Sequence, residues 1–182
     1  MRKIEDFDKV SETVNERKSP PAGGYVCTVF AVLDVPEKEY LKVEFDIAEG
    51  EYKDYGVATL ERAGFNPLKM VKSYKESAKG FFKRFISAVE KSNPGYTWNW
   101  DEHTLVGKRF GAVLGEEQYR KNSGDIGTRL YVDREMSVAK LKEGDFTVPE
   151  LKPIPGLKTA APASTANLRP VQLTDKELED LF

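Results

Sequence analysis

Of all the segments in this chain, Ser73 to Lys91 restricts the fold most, because it alone sustains a helical period over several turns. Ser73 and Glu76 have the spacing of a capping box, in which each side chain satisfies a backbone N–H that the first helical turn leaves open. Asn93-Pro94-Gly95 ends the segment, since proline cannot extend the hydrogen-bond ladder and glycine accepts a left-handed turn. Between these limits Tyr74, Ala78, Phe81, Phe82, Phe85, Ala88 and Val89 follow the spacing of one buried stripe, and Lys75, Lys79 and Lys83 form a solvated row. Gly80 costs about 1 kcal/mol in a helix relative to alanine, which predicts that a neighbouring strand passes close to it.

Three strand-like segments precede the helix and two follow it. Tyr25 to Leu33 is apolar at nearly every position, as expected of a strand covered on both faces or bent to serve two sheets. Pro36 and Glu37-Lys38-Glu39 turn the chain into Tyr40–Ile47, which alternates without a slip: Leu41, Val43, Phe45 and Ile47 inward, Lys42, Glu44 and Asp46 outward. After a turn from Gly50 to Asp54, Tyr55 to Leu60 reads as a third strand, and Arg62 to Lys72 as its connection to the helix. Beyond the helix, Asp101 caps a single turn ending at Leu105. A fourth strand then runs from Val106 to Leu114 or on to Tyr119, with Gly111 and Gly115 as bend sites, and a turn-rich loop, Arg120 to Asp125, leads to a fifth strand over Thr128 to Met136. In that strand Leu130 and Val132 face one way, and Arg129, Tyr131 and Asp133 the other. A mainly β fold in the order βββ-α-ββ is that of a five-stranded Greek-key barrel of the oligonucleotide-binding (OB) type.

Length permits one sizeable core plus extensions. The chain divides into an amino-terminal arm (1–22), a barrel domain (23–148), a Pro/Ala-rich linker (149–170) expected to be disordered, and an acidic tip (171–182). No run of eighteen apolar residues exists, and the charged first ten residues lack a secretory pattern, so a cytoplasmic protein is expected. Cys27, the single cysteine, lies within a strand pattern and reads as a small buried hydrophobe. The net charge of −2 is unevenly spread: residues 69–129 hold 12 basic and 7 acidic side chains (+5), and residues 171–182 hold 1 and 4 (−3). A basic middle hints at a polyanionic partner.

Catalysis is not expected. One histidine, His103, and one cysteine are too few for a histidine-based metal site or a cysteine–histidine pair, so no metal or cofactor is predicted and His103 reads as structural. Gly107-Lys108 is no phosphate loop, because Glu102 occupies the place of the earlier glycine and Arg109 that of the serine or threonine.

The linker ends in Glu179-Asp180-Leu181-Phe182, whose aromatic side chain, acidic neighbours and terminal carboxylate suit a partner pocket with an apolar slot and a basic rim. This arrangement resembles the single-stranded DNA-binding proteins of bacteria and their phages, which join an oligonucleotide-binding barrel to a flexible linker and an acidic tip ending in phenylalanine. The tip departs from the bacterial form in lacking proline before the phenylalanine and in holding Lys176. Pro21-Ala22-Gly23-Gly24-Tyr25 and Leu105-Val106-Gly107-Lys108 make the body more similar to a group of phage early proteins from Gram-positive hosts.

The resemblance implies coating of single strands, with little sequence preference, during phage DNA replication or recombination in an infected bacterial cell, with replication or recombination proteins recruited by the tip. Such binding needs a cationic groove and aromatic faces on which bases stack. The candidates are Trp98, Trp100, Tyr119 and Tyr131 for stacking, with Lys108, Arg109, Arg120, Lys121 and Arg129 for phosphates; Phe110 is expected to pack inward. Glu37, Glu39, Glu44 and Asp46 would repel phosphates, which directs the groove toward the later strands. The competing reading is a protein-interaction adaptor of replication or recombination that does not touch DNA; a homodimer is compatible with either.

Overall fold

The computed structural model describes residues 19–154. Its centre is a five-stranded antiparallel sheet in the spatial order β3-β2-β1-β4-β5, built from β1 (Gly23–Val35), β2 (Tyr40–Ile47), β3 (Lys69–Ser73), β4 (Arg109–Arg120) and β5 (Ile126–Met136). Three helices accompany it: α1 (Tyr55–Ala63), α2 (Lys79–Ser92) and α3 (Val138–Glu143).

The alternation of β2 holds where it was legible. Leu41, Val43, Phe45 and Ile47 join Phe85, Val89, Phe110 and Leu114 in one core, with edge-to-face rings at 5.6 Å between Phe45 and Phe110 and between Phe85 and Phe110. The first half of β1 is covered on both sides, as its continuous apolar run predicts. Cys27 and Val29 face this core, while Val26 packs with Val113, Leu141 and Phe146 beneath α3.

Two predicted elements differ. Tyr55 to Leu60 is not a strand but the body of α1, and the third strand is Lys69–Ser73, inside what reads as a connection. Asp46 explains the helix: predicted to face water, it is buried, and its carboxylate accepts the Gly56 and Val57 N–H groups at 2.7 and 2.8 Å. These are open donors of the first turn, so the cap comes from another strand. Asn66 continues the device, donating to the Phe45 carbonyl and accepting from Leu68 N–H, which seats the chain for β3.

The long helix also starts later. Ser73 ends β3 and donates to the Glu39 carbonyl instead of capping, Glu76–Ala78 form a short 3₁₀ turn, and α2 begins at Lys79. The new start turns the stripe: Phe82, Phe85, Ile86, Ala88 and Val89 are buried, whereas Phe81 is 60% exposed beneath the Arg84 guanidinium. Gly80 has open space around it, so no strand approaches there. The predicted turn at Glu102–Leu105 is present, with Asp101 accepting from His103 N–H at 3.0 Å.

The element order is therefore ββ-α-β-α-ββ-α, richer in helix than the single-helix barrel predicted. The edge strands β3 and β5 share no hydrogen-bonded ladder. Side chains link them at one end, where buried Glu135 of β5 accepts from Lys72 of β3 and, at 3.0 and 3.1 Å, from Arg84 of α2. The sheet is thus curled with an open seam. Past α3, Lys152 pairs in parallel with Glu117 through hydrogen bonds to Gln118 N–H and the Glu116 carbonyl, so the first residues of the predicted linker lie along β4. The tip residues Glu179, Asp180, Leu181 and Phe182 lie outside the described residues. No described helix is long and apolar enough to cross a membrane.

Candidate nucleic-acid interface

The open seam is a cleft of about 850 Å³ between α1 and β3 on one side and β4 and β5 on the other. The β4–β5 register brings Gly115 opposite Tyr131, Glu117 opposite Arg129 and Tyr119 opposite Gly127, so Tyr119, Arg129 and Tyr131 form one stripe. Arg129 lies over the Tyr119 ring at 5.5 Å and donates to Glu117 at 2.7 Å. Glycine is required at 115, because a β-carbon there would come within 2.5 Å of the Tyr131 ring and 2.7 Å of Pro149. Tyr131 is not an open platform: Lys152 covers its ring at 3.5 Å, and its hydroxyl is buried without a partner among the described residues.

The opposite wall was missed by sequence reasoning. Arg62, Phe65 and Lys69 line it, and Phe65 and Lys69 are exposed beside Tyr55. The usable signal was Gly64, a helix-stop residue whose left-handed backbone (φ 77°) caps α1 at its carboxyl end. Across the cleft stand Arg62, Lys69, Lys72 and Arg129 against Glu116 and Glu117, a net cationic lining. Lys72 contributes least outward, because Glu135 holds it and burial lowers its pKa despite that partner. Arg120, the last residue of β4, and Lys121, the first of the β4–β5 loop, are exposed beside the cleft, and Arg120 donates to the Gly124 carbonyl at 3.1 Å.

Trp98 and Trp100 are elsewhere. They line a second cavity of about 600 Å³ with Leu41, Tyr74, Phe82 and Ile86, and it shares no lining residue with the seam. Trp98 is half-buried against Phe82 (6.3 Å), whereas Trp100 is 81% exposed. The Trp100 backbone sits in the left-handed region at φ 68°, which costs a bulky residue about 1–3 kcal/mol. The surrounding loop is held by Glu90, which accepts from Trp98 N–H at 2.9 Å, and by Asn99, which accepts from Asp101 N–H at 3.3 Å.

The remaining candidates are dispersed. Lys108 caps the Tyr96 ring at 4.8 Å, Arg109 lies 4.0 Å from Glu49, and Phe110 is fully buried in the core. Cys27 is buried too, and its surroundings push the thiol pKa up. His103 is exposed, 3.6 Å from Glu102. Among the described residues no group of three or more His, Cys, Asp or Glu side chains is placed to hold a metal ion. Comparison with protein-family models and with curated proteins finds no match for this chain, which leaves the seam and the tryptophan cavity to be read from their own chemistry.

Proposed function

We propose that this protein binds single-stranded DNA with little sequence preference, that its body is an OB-like Greek-key barrel left open at one seam, and that its acidic tip recruits replication or recombination proteins. The strand order β3-β2-β1-β4-β5, with α2 between the third and fourth strands, supports the barrel reading, because joining β3 to β5 would complete that topology. The observation that carries the DNA reading is the seam itself, where Tyr119, Phe65 and Tyr55 share a cleft with Arg62, Lys69 and Arg129. Aromatic faces stack on any base and cations track the backbone, so this combination suits a flexible strand without reading its sequence. Coating of strands exposed in phage replication or recombination is the biological role this binding would serve.

The test is a titration of the full chain with fluorescent thirty-nucleotide oligo-dT, matched duplex DNA and matched RNA at two salt concentrations. With Arg62, Lys69, Arg120 and Lys121 each meeting a phosphate, affinity for the single strand falls roughly fifty-fold between ~50 and ~200 mM salt. Arg62→Ala with Lys69→Ala reduces that salt slope, whereas Arg109→Ala, outside the seam, leaves it unchanged. Absence of binding even at low salt rejects the reading and leaves the adaptor, a body and tip that join proteins without touching DNA.

A further inference from the structure

The tryptophan cavity has features that filling a core does not require. Its walls are apolar, from Leu41, Phe82, Ile86 and Trp98, yet Lys79, Lys83, Asp34 and Glu102 also line it. Trp100 is held at the cavity in a strained backbone conformation and is 81% exposed, the reverse of what apolar burial favours. Strain of this kind persists where the surroundings impose it, and Glu90 and Asn99 hold the loop on either side. The Trp98 and Trp100 ring centroids are 6.2 Å apart with planes inclined at 57°, an open angle between two aromatic faces.

We infer that this cavity is a nucleobase pocket, in which one unstacked base of a bound strand inserts against Trp100 while Lys79 and Lys83 meet its flanking phosphates. The inference rests on the single-strand reading and deepens it by naming a second, base-sized anchor apart from the seam. The chemistry matches group by group. A flat π-system suits the aromatic walls, and phosphates suit lysines on one side of α2, where Lys79 pairs only with exposed Glu76 and Lys83 has no carboxylate partner among the described residues. The carboxylates select among bases. Asp34 accepts the Tyr74 hydroxyl at 2.9 Å on one oxygen, whereas Glu102 accepts no hydrogen bond among the described residues and is the freer acceptor for an exocyclic amine, which cytosine has and thymine lacks. The pocket therefore favours amino-bearing bases, a modest preference superimposed on sequence-tolerant coating.

The experiment compares oligo-dC with oligo-dT on the full chain and its Trp100→Ala, Glu102→Gln and Tyr119→Ala variants, following tryptophan fluorescence and anisotropy, with circular dichroism confirming the fold. Wild type is expected to bind dC more tightly than dT with quenched tryptophan emission. Trp100→Ala lowers dC affinity about ten-fold and removes most of the quenching. Glu102→Gln, which adds a donor, levels dC with dT. Tyr119→Ala weakens both oligomers alike and keeps their ratio. Folded Trp100→Ala that binds both oligomers as wild type does overturns the pocket while leaving the seam reading intact, and wild type that binds neither overturns both. A synthetic peptide of residues 171–182 that quenches wild type but not Trp100→Ala, while oligo-dC quenches the two alike, assigns the cavity to protein docking and overturns the nucleobase assignment.

Discussion

At the scale of single residues, the group with most at stake is Glu135, buried in β5 between Lys72 and Arg84. A buried charge is tolerable only when paired, and removing one partner strands the others. Glu135→Ala is expected to cost about 3–5 kcal/mol, read as a lowered urea midpoint. Lys72 also makes stability depend on pH. Burial lowers its pKa in the folded chain, so between the folded value and the unfolded 10.5 the unfolded chain binds more protons and stability rises with pH. The Cys27 thiol acts oppositely, since its raised folded pKa means stability falls as pH climbs past the unfolded 9.0. The difference between wild type and Lys72→Met isolates the lysine: the gain on moving from pH 7 toward 10 is expected in wild type and smaller in the variant, by urea unfolding at each pH. Neither role was legible in the sequence, where Lys72 closes a connection and Glu135 is one acid among many.

At the scale of elements, a cap from outside decides α1. Tyr55–Ala63 is short, and its Asp54 N-cap makes no side-chain hydrogen bond, so the carboxylate of Asp46 on β2 supplies what the segment lacks. Asp46→Ala is expected to cost about 1–2 kcal/mol and to speed amide exchange at Gly56 and Val57 ahead of the rest of α1. Gly115 performs the corresponding service for β4 by admitting Tyr131 and Pro149 together. Gly115→Ala must move one of them, and destabilisation of about 1–3 kcal/mol is expected. Limited proteolysis near Lys152 tests whether its pairing with β4 loosens in that variant. The late start of α2 has a similar physical cause: Ser73 belongs to the ladder with Tyr40, and pairing with a neighbouring strand outcompetes a local capping pattern.

At the scale of the whole molecule, charge separates the proposed tasks. The segment 69–129 carries +5 and the tip −3, so on the proposed reading the tip would compete with DNA for a cationic surface. Deleting residues 171–182 is expected to leave single-strand affinity unchanged or stronger, with the gain greatest at low salt, and to abolish partner recruitment in a pull-down. Weaker DNA binding after the deletion would reject this division. The sequence by itself determined β1, β2, β4, β5, the turn at Glu102–Leu105 and the shared face of Arg129 and Tyr131, because alternation and capping act between near neighbours. Only the tertiary structure decided that Tyr55–Ala63 is a helix, that β3 lies at Lys69–Ser73 and faces β5 across an open seam, and that the tryptophans leave that seam for a cavity of their own. Each of those outcomes depends on a partner distant in the chain, Asp46 for α1, Glu135 for Lys72 and Phe82 for Trp98, and no local period records such a partner.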